Sequence, residues 1–260
     1  MGLSEKLIKS NTQGGIMLKN RKVRILFTLG VGIVLYLTGC VDTSVQPIPD
    51  HFDFRSQVNI VNVAEGVSQA EVSLVSKDGS TVSFGNIAFG AESPAGSFTE
   101  VAAGSKTMIF KHSGGTEEFK ITADTDRKIR YFVFGPAGER DVFNFVQRYT
   151  FQTKGSPNSE KFFPKDSCQI AFFNGSSDAT IDGFIAVASG IDTTVAFPKT
   201  IGMGKGAAYS QIKAADYRFY VISGSDTLTT FTAKLDQQKR YTAVIYDATA
   251  NIKSKVFTDD

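Results

Sequence analysis

The 260 residues hold 28 Lys and Arg against 26 Asp and Glu, 42% hydrophobic residues, 22 Phe and no Trp, which describes a chain able to bury a core and long enough for two ordinary domains. The formal net charge of +2 is unevenly placed: residues 1–39 contain six of the basic residues and one acidic residue, so residues 40–260 carry 22 basic against 25 acidic, a net −3. That balance excludes the basic footprint of a nucleic-acid binder and leaves no cationic cluster to grip anionic lipid.

In chain order, the basic segment Lys19-Asn20-Arg21-Lys22-Val23-Arg24 precedes an apolar run from Ile25 to Leu37, and small residues follow it. A positive start and an apolar core shorter than the ~20 residues of a bilayer span read as an export signal. The rival, an N-terminal transmembrane helix with a chance cysteine, wants a longer run. Leu37-Thr38-Gly39-Cys40 resembles the lipobox of bacterial lipoproteins. The resemblance implies a diacylglycerol on the Cys40 thiol, cleavage ahead of it, and attachment to the cell envelope, at the outer membrane, by acyl chains. Several such chains make attachment effectively permanent. Met17 suits the start of that signal, which makes residues 1–16 an upstream extension.

Residues 40–55 are polar, hold Pro47 and Pro49 and show no period, and read as a tether. From Val58 onward apolar residues recur at spacing two, in short runs divided by Gly, Asp, Ser and Pro, the pattern of half-buried strands. Val58 and Ile60 alternate with Asn59, Val72 and Leu74 with Ser73, and Ile129, Tyr131 and Val133 with Arg130, Phe132 and Phe134. Turns separate them at Lys77-Asp78-Gly79, Ser113-Gly114-Gly115 and Gly135-Pro136-Ala137-Gly138. The order then repeats. Phe98 to Phe110 aligns without gaps on Tyr209 to Val221, an offset of 111, and Val58 to Asn62 matches Gln169 to Asn174 within a residue or two. A period of that length is a whole domain. The expected fold is therefore all-β: two tandem sandwiches, residues 56–155 and 166–260, joined by a linker at 156–165.

Three segments of the first copy, Val58-Asn59-Ile60-Val61-Asn62, Asn86-Ile87-Ala88-Phe89-Gly90 and Phe98 to Thr107, resemble those of a domain family of unknown function found singly or in tandem in exported bacterial proteins. The second copy is more degraded, with Ala215 where a glycine is expected. The resemblance implies immunoglobulin-like or transthyretin-like sandwiches with a surface role, and it brings no catalytic residues.

Chemical constellations are sparse. His112 lies beside Ser113 at a strand end, without a spatially defined carboxylate, and reads as a surface histidine rather than a base. Cys168, next to an apolar strand, reads as a buried small hydrophobe. Asp178 with Asp182, and Asp124 with Asp126, offer oxygens to calcium, but carboxylates in turns usually cap their own backbone. Gly202 to Gly206 lacks the Lys-Ser/Thr ending of a phosphate loop. No metal and no cofactor is expected, and the chain is read as non-enzymatic. Asp192-Thr193-Thr194 and Asp226-Thr227-Leu228 resemble a short motif on which some Gram-negative bacteria place O-glycans, which marks Thr193 and Thr227 as candidate acceptors. Recognition loops are expected at Ala91 to Ser97, Lys111 to Thr116 and Thr200 to Ala208, while Phe143, Phe145, Tyr149 and Phe151 form an aromatic stripe whose spacing favours burial. Two roles follow: an envelope lipoprotein presenting a protein- or glycan-binding surface, or a fimbrillin-like structural subunit assembled by strand addition.

Overall fold

The computed structural model describes residues 54–148, 164–189, 194–197 and 199–259. The first half builds β1 (Arg55–Ala64), β2 (Gln69–Ser76), β3 (Thr81–Ala88), β4 (Ala91–Ser93), β5 (Thr99–Ala102), β6 (Gly104–His112), β7 (Gly115–Ala123), β8 (Arg127–Gly135) and β9 (Asp141–Arg148). The second builds β10 (Ser167–Gly175), β11 (Gly183–Ala188), β12 (Thr194–Phe197), β13 (Lys205–Lys213), β14 (Ala215–Ser223), β15 (Asp226–Leu235), β16 (Arg240–Tyr246) and β17 (Lys253–Thr258). Among the described residues the only helical turn is a 3₁₀ turn at Thr249–Asn251. The fold is all-β, and strand β1 already contains Arg55, the last residue assigned above to the tether.

Each half has an outer and an inner sheet of matching order. The outer sheets run β3-β2-β6-β7 and β12-β11-β14-β15. The inner ones run β4-β1-β8-β9, with β5 also pairing β1, and β13-β10-β16-β17. In each inner sheet the two central strands are parallel: β1 with β8, from Gln57↔Lys128 to Ala64↔Gly135, and β10 with β16, from Gln169↔Arg240 to Gly175↔Tyr246. Parallel pairs persist where both faces are covered. Here they are.

Even-numbered residues of β1 and odd-numbered ones of β8 face their own sandwich: Val58, Ile60, Ile129, Tyr131 and Val133 join Val72, Leu74, Met108 and Phe110 in the first core. Cys168, Ile170, Phe172, Phe184, Phe219 and Ala243 play the same part in the second. The opposite faces of the two inner sheets meet each other. Val61, Val63 and Phe132 pack on Phe173, Val244, Tyr246 and Phe257, with Phe134, Phe143 and Phe145 around them. The half-buried reading of the central strands is thus corrected: their second face is the seam between the sandwiches, and Asn59 and Arg130, read as the polar side, are 0% and 1% exposed.

A duplicated pin sets both cores. Buried Asn62 donates from Nδ2 to Val67 O (3.3 Å) and Ile87 O (3.1 Å), and its Oδ1 accepts from Ala64 N (3.2 Å). Asn174 repeats this with Ala179 O (2.8 Å), Ile201 O (2.9 Å) and Ser176 N (3.1 Å). A side-chain amide can serve two carbonyls and one amide at once, so each pin closes the chain reversal after the first strand of its sandwich without leaving a buried polar group unpaired.

Candidate functional site

Of the residues marked from sequence, Cys40, Thr193, Tyr149 and Phe151 lie outside the described residues, as does the linker before Pro164. Thr227 is exposed at the start of β15, opposite Ile222. The expected loops are largely strand: Ala91–Ser93 forms β4, Lys205 to Ala208 opens β13, and Lys111, His112, Gly115 and Thr116 pair across the β6–β7 hairpin. Pairing satisfies backbone groups that an irregular loop would leave to water.

His112 is stapled into that hairpin. Gly114 N donates to its Nδ1 at 3.0 Å, so Nε2 carries the proton and points at Glu117 Oε1, 3.0 Å away, where the Arg140 guanidinium also bonds. Both ring nitrogens are occupied, which leaves neither to activate Ser113. The Cys168 thiol is fully buried, and burial followed by the charge of Asp236 pushes its pKa up to about 12. Asp178 accepts from Thr249 N and Oγ1, both at 2.7 Å, and these bonds lower its pKa. Asp182 Oδ2 accepts from Gly224 N at 2.7 Å. Both carboxylates fasten distant loops, 71 and 42 residues away, rather than capping their own turns as expected from sequence. Among the described residues no group of three or more His, Cys, Asp or Glu is placed to hold a metal ion.

The seam has an aromatic and a polar end. Phe143 stacks on Phe173 (4.6 Å, 7°), Phe132 lies 5.0 Å from the same ring, and Phe89 meets Tyr246 edge-on at 5.2 Å. Glycines let these rings approach the opposite backbone. A Cβ on Gly206 would fall 2.5 Å from Phe143, and one on Gly204 2.6 Å from Phe134. At the polar end Arg130 of β8 bonds Glu92, donates from Nε to Asp259 Oδ1 (2.8 Å), and reaches Thr258 O (2.7 Å). The other Asp259 oxygen accepts from Tyr209 (2.8 Å) and Thr242 (2.7 Å), and Gln147 donates to the Tyr209 hydroxyl at 2.7 Å. A buried ion pair is tolerated when its remaining hydrogen-bonding positions are filled, and here they are filled from both sandwiches. Sequence reasoning missed this network because Arg130 and Asp259 stand 129 residues apart.

The outward faces of the two sandwiches differ. On the first, Glu71, Lys111, Glu118 and Lys120 are exposed, and Lys111 pairs with Glu71 at 3.4 Å. On the second, neighbouring strands set Ala196, Ile185, Tyr220 and Thr230 in one row and Thr194, Val187, Arg218 and Thr232 in the next, with Ile222 opposite Thr227 beyond them. Ile185 and Val187 are 36% and 37% exposed. The result is an aliphatic and threonine-rich patch, with Arg218 beside it and exposed Asp216 and Lys234 paired in the row that follows.

The spaces between sheet edges differ too. In the first sandwich Phe84 and Ile87 of β3 are buried in the core, and Ser93 Oγ of β4 donates to Phe84 O at 2.6 Å, closing the gap. In the second, β12 has only four residues. Between it and β13 lies a cleft of about 330 Å³, lined among others by Phe172, Phe184, Phe197, Lys199, Ala208 and Ser210.

No family model and no curated protein matches the chain. Among solved structures it is similar to the Bacillus anthracis TIE protein (10% identity, 78% of this chain and 34% of that one, TM-score 0.25). It is also similar to a fimbrial assembly protein from Parabacteroides distasonis ATCC 8503 (8%, 79% and 98%, TM-score 0.23) and to a candidate cell adhesion protein from Bacteroides uniformis ATCC 8492 (9%, 81% and 99%, TM-score 0.22). The chain thus spans about a third of the first of these. At such identities and TM-scores the likenesses carry no argument about function.

Proposed function

We propose that the chain is a non-catalytic cell-envelope lipoprotein, held in the outer membrane through Cys40, whose two sandwiches present a protein- or glycan-binding surface of adhesion type. One observation carries this reading: the outward sheet of the second sandwich exposes Ile185 and Val187 among threonines, beside half-buried Tyr220 and Ile222, where the first pairs Lys111 with Glu71. Exposed apolar surface ringed by polar residues marks contact sites. The seam holds that face rigidly relative to the first sandwich, which suits display.

The fimbrillin-like alternative needs proteolysis early in the first sandwich to free a strand edge. Strand β1 is central, between β4 and β8, so a cut after Arg55 releases no strand, and one after Lys77 would strip Val58, Ile60, Val72 and Leu74 from the core. The geometry favours display. The test is a glycan array and an envelope pull-down with the wild-type chain and an Ile185→Asp/Tyr220→Asp variant. A specific ligand lost in the variant supports the reading, and nothing specific in either assay overturns it.

A further inference from the structure

The cleft between β12 and β13 is a second site, distinct from the outward face. Its body is apolar. Phe172 and Phe184 stack at 3.9 Å beneath it, Phe197 stands 5.1 Å from Phe172 and is only half-buried, and Ala196, Ile201, Ala207 and Ala208 form the rest of the walls. Its polar side chains are Lys199, Tyr209 and Ser210, and backbone groups of the two edge strands add to the polar part of the lining. The Tyr209 hydroxyl is committed to Asp259 and Gln147, so it is not free for a ligand. Lys199 is exposed, and its ammonium has no partner among the described residues.

That composition discriminates between ligand classes. A flat or branched hydrocarbon body satisfies the walls, and one negative group satisfies the ammonium. The volume falls at the small end of the ~300–1,000 Å³ range of small-molecule sites. At the matching edge of the first sandwich β4 closes on β3 through the Ser93–Phe84 bond, so the scaffold does not require an open edge here.

We propose that this cleft binds a small apolar anion, an aryl or branched aliphatic carboxylate, with its body against Phe197 and its charged group on Lys199. The proposal does not depend on the display function, and its failure would leave the outward face untouched.

The test uses two fluorescent probes on the purified full chain: the anionic 1-anilinonaphthalene-8-sulfonate and the neutral N-phenyl-1-naphthylamine. The anionic probe binds saturably at one site. Lys199→Glu weakens it by about tenfold or more while the neutral probe changes by less than about twofold, as expected when one charge contact is reversed. Ala208→Phe, at an exposed position on the wall, weakens both probes while leaving the circular dichroism spectrum unchanged. Equal binding of the anionic probe to wild type and Lys199→Glu overturns the proposal, as does undiminished binding of both probes to Ala208→Phe.

Discussion

The two sandwiches share a plan, and they differ where one of them meets the outside. Strand order, the parallel central pair and the asparagine pin repeat, because each half has the same problem: one sheet must cover a core on one side and a neighbour on the other. The edge strands beside that parallel pair are where the halves diverge. There the first half splits its edge into β4 and β5, closes β4 on β3 through the Ser93–Phe84 bond, and keeps charges outside. The second runs β13 unsplit, shortens β12, leaves a cleft beside it and exposes Ile185 and Val187 on its outer face. The shared features belong to folding; the divergent ones are where recognition has room to develop.

The largest effect is expected at the seam. Arg130→Ala leaves Asp259 buried without its cation and lowers unfolding free energy by about 3–5 kcal/mol, read by denaturant titration. An Arg130→Met/Glu92→Gln/Asp259→Leu triple variant recovers much of that loss, because it removes Arg130 together with both carboxylates it pairs. The pins come next. Asn62→Ala and Asn174→Ala each strand two carbonyls and should cost about 2–3 kcal/mol, with the two values close to one another. Unequal values would show that the halves share topology but not energetics. Ile87→Ala, which removes a buried side chain from the first core, should cost about 2–4 kcal/mol by denaturant titration. The smallest effect concerns Cys168. Its folded pKa of about 12 lies above the ordinary 9.0, so the neutral thiol favours the folded state below pH 9. That contribution is lost as pH rises from about 9 towards 12. At neutral pH the thiol should react with a disulfide reagent only on unfolding. A separate measurement addresses the anchor: fatty-acid label incorporated by cells should follow the chain and disappear with Cys40→Ser.

Much of this was legible in the residues. Period-two runs and their turns gave an all-β fold, and the offset of 111 between Phe98 and Tyr209 reported the internal likeness. The seam was not legible. Alternation shows that one face of a strand is apolar, and it cannot show that the other face is covered by a different sheet. A hint existed in Tyr131-Phe132-Val133-Phe134 and Ala171-Phe172-Phe173, apolar on consecutive positions, which is how a strand buried on both sides reads. The cleft left no motif at all. It arises from a short strand and small side chains, and only the packing reveals it.

The parallel pairing of β1 with β8 has a mechanical consequence. A chain held ahead of Arg55 and pulled at its second sandwich is stretched through β1, along the axis of that strand. Its hydrogen bonds to β8, spread over Gln57 to Ala64, then bear the load side by side rather than one after another. Single-molecule pulling from the N-terminal side should meet a high rupture force at this ladder, the behaviour of a clamp that holds under flow.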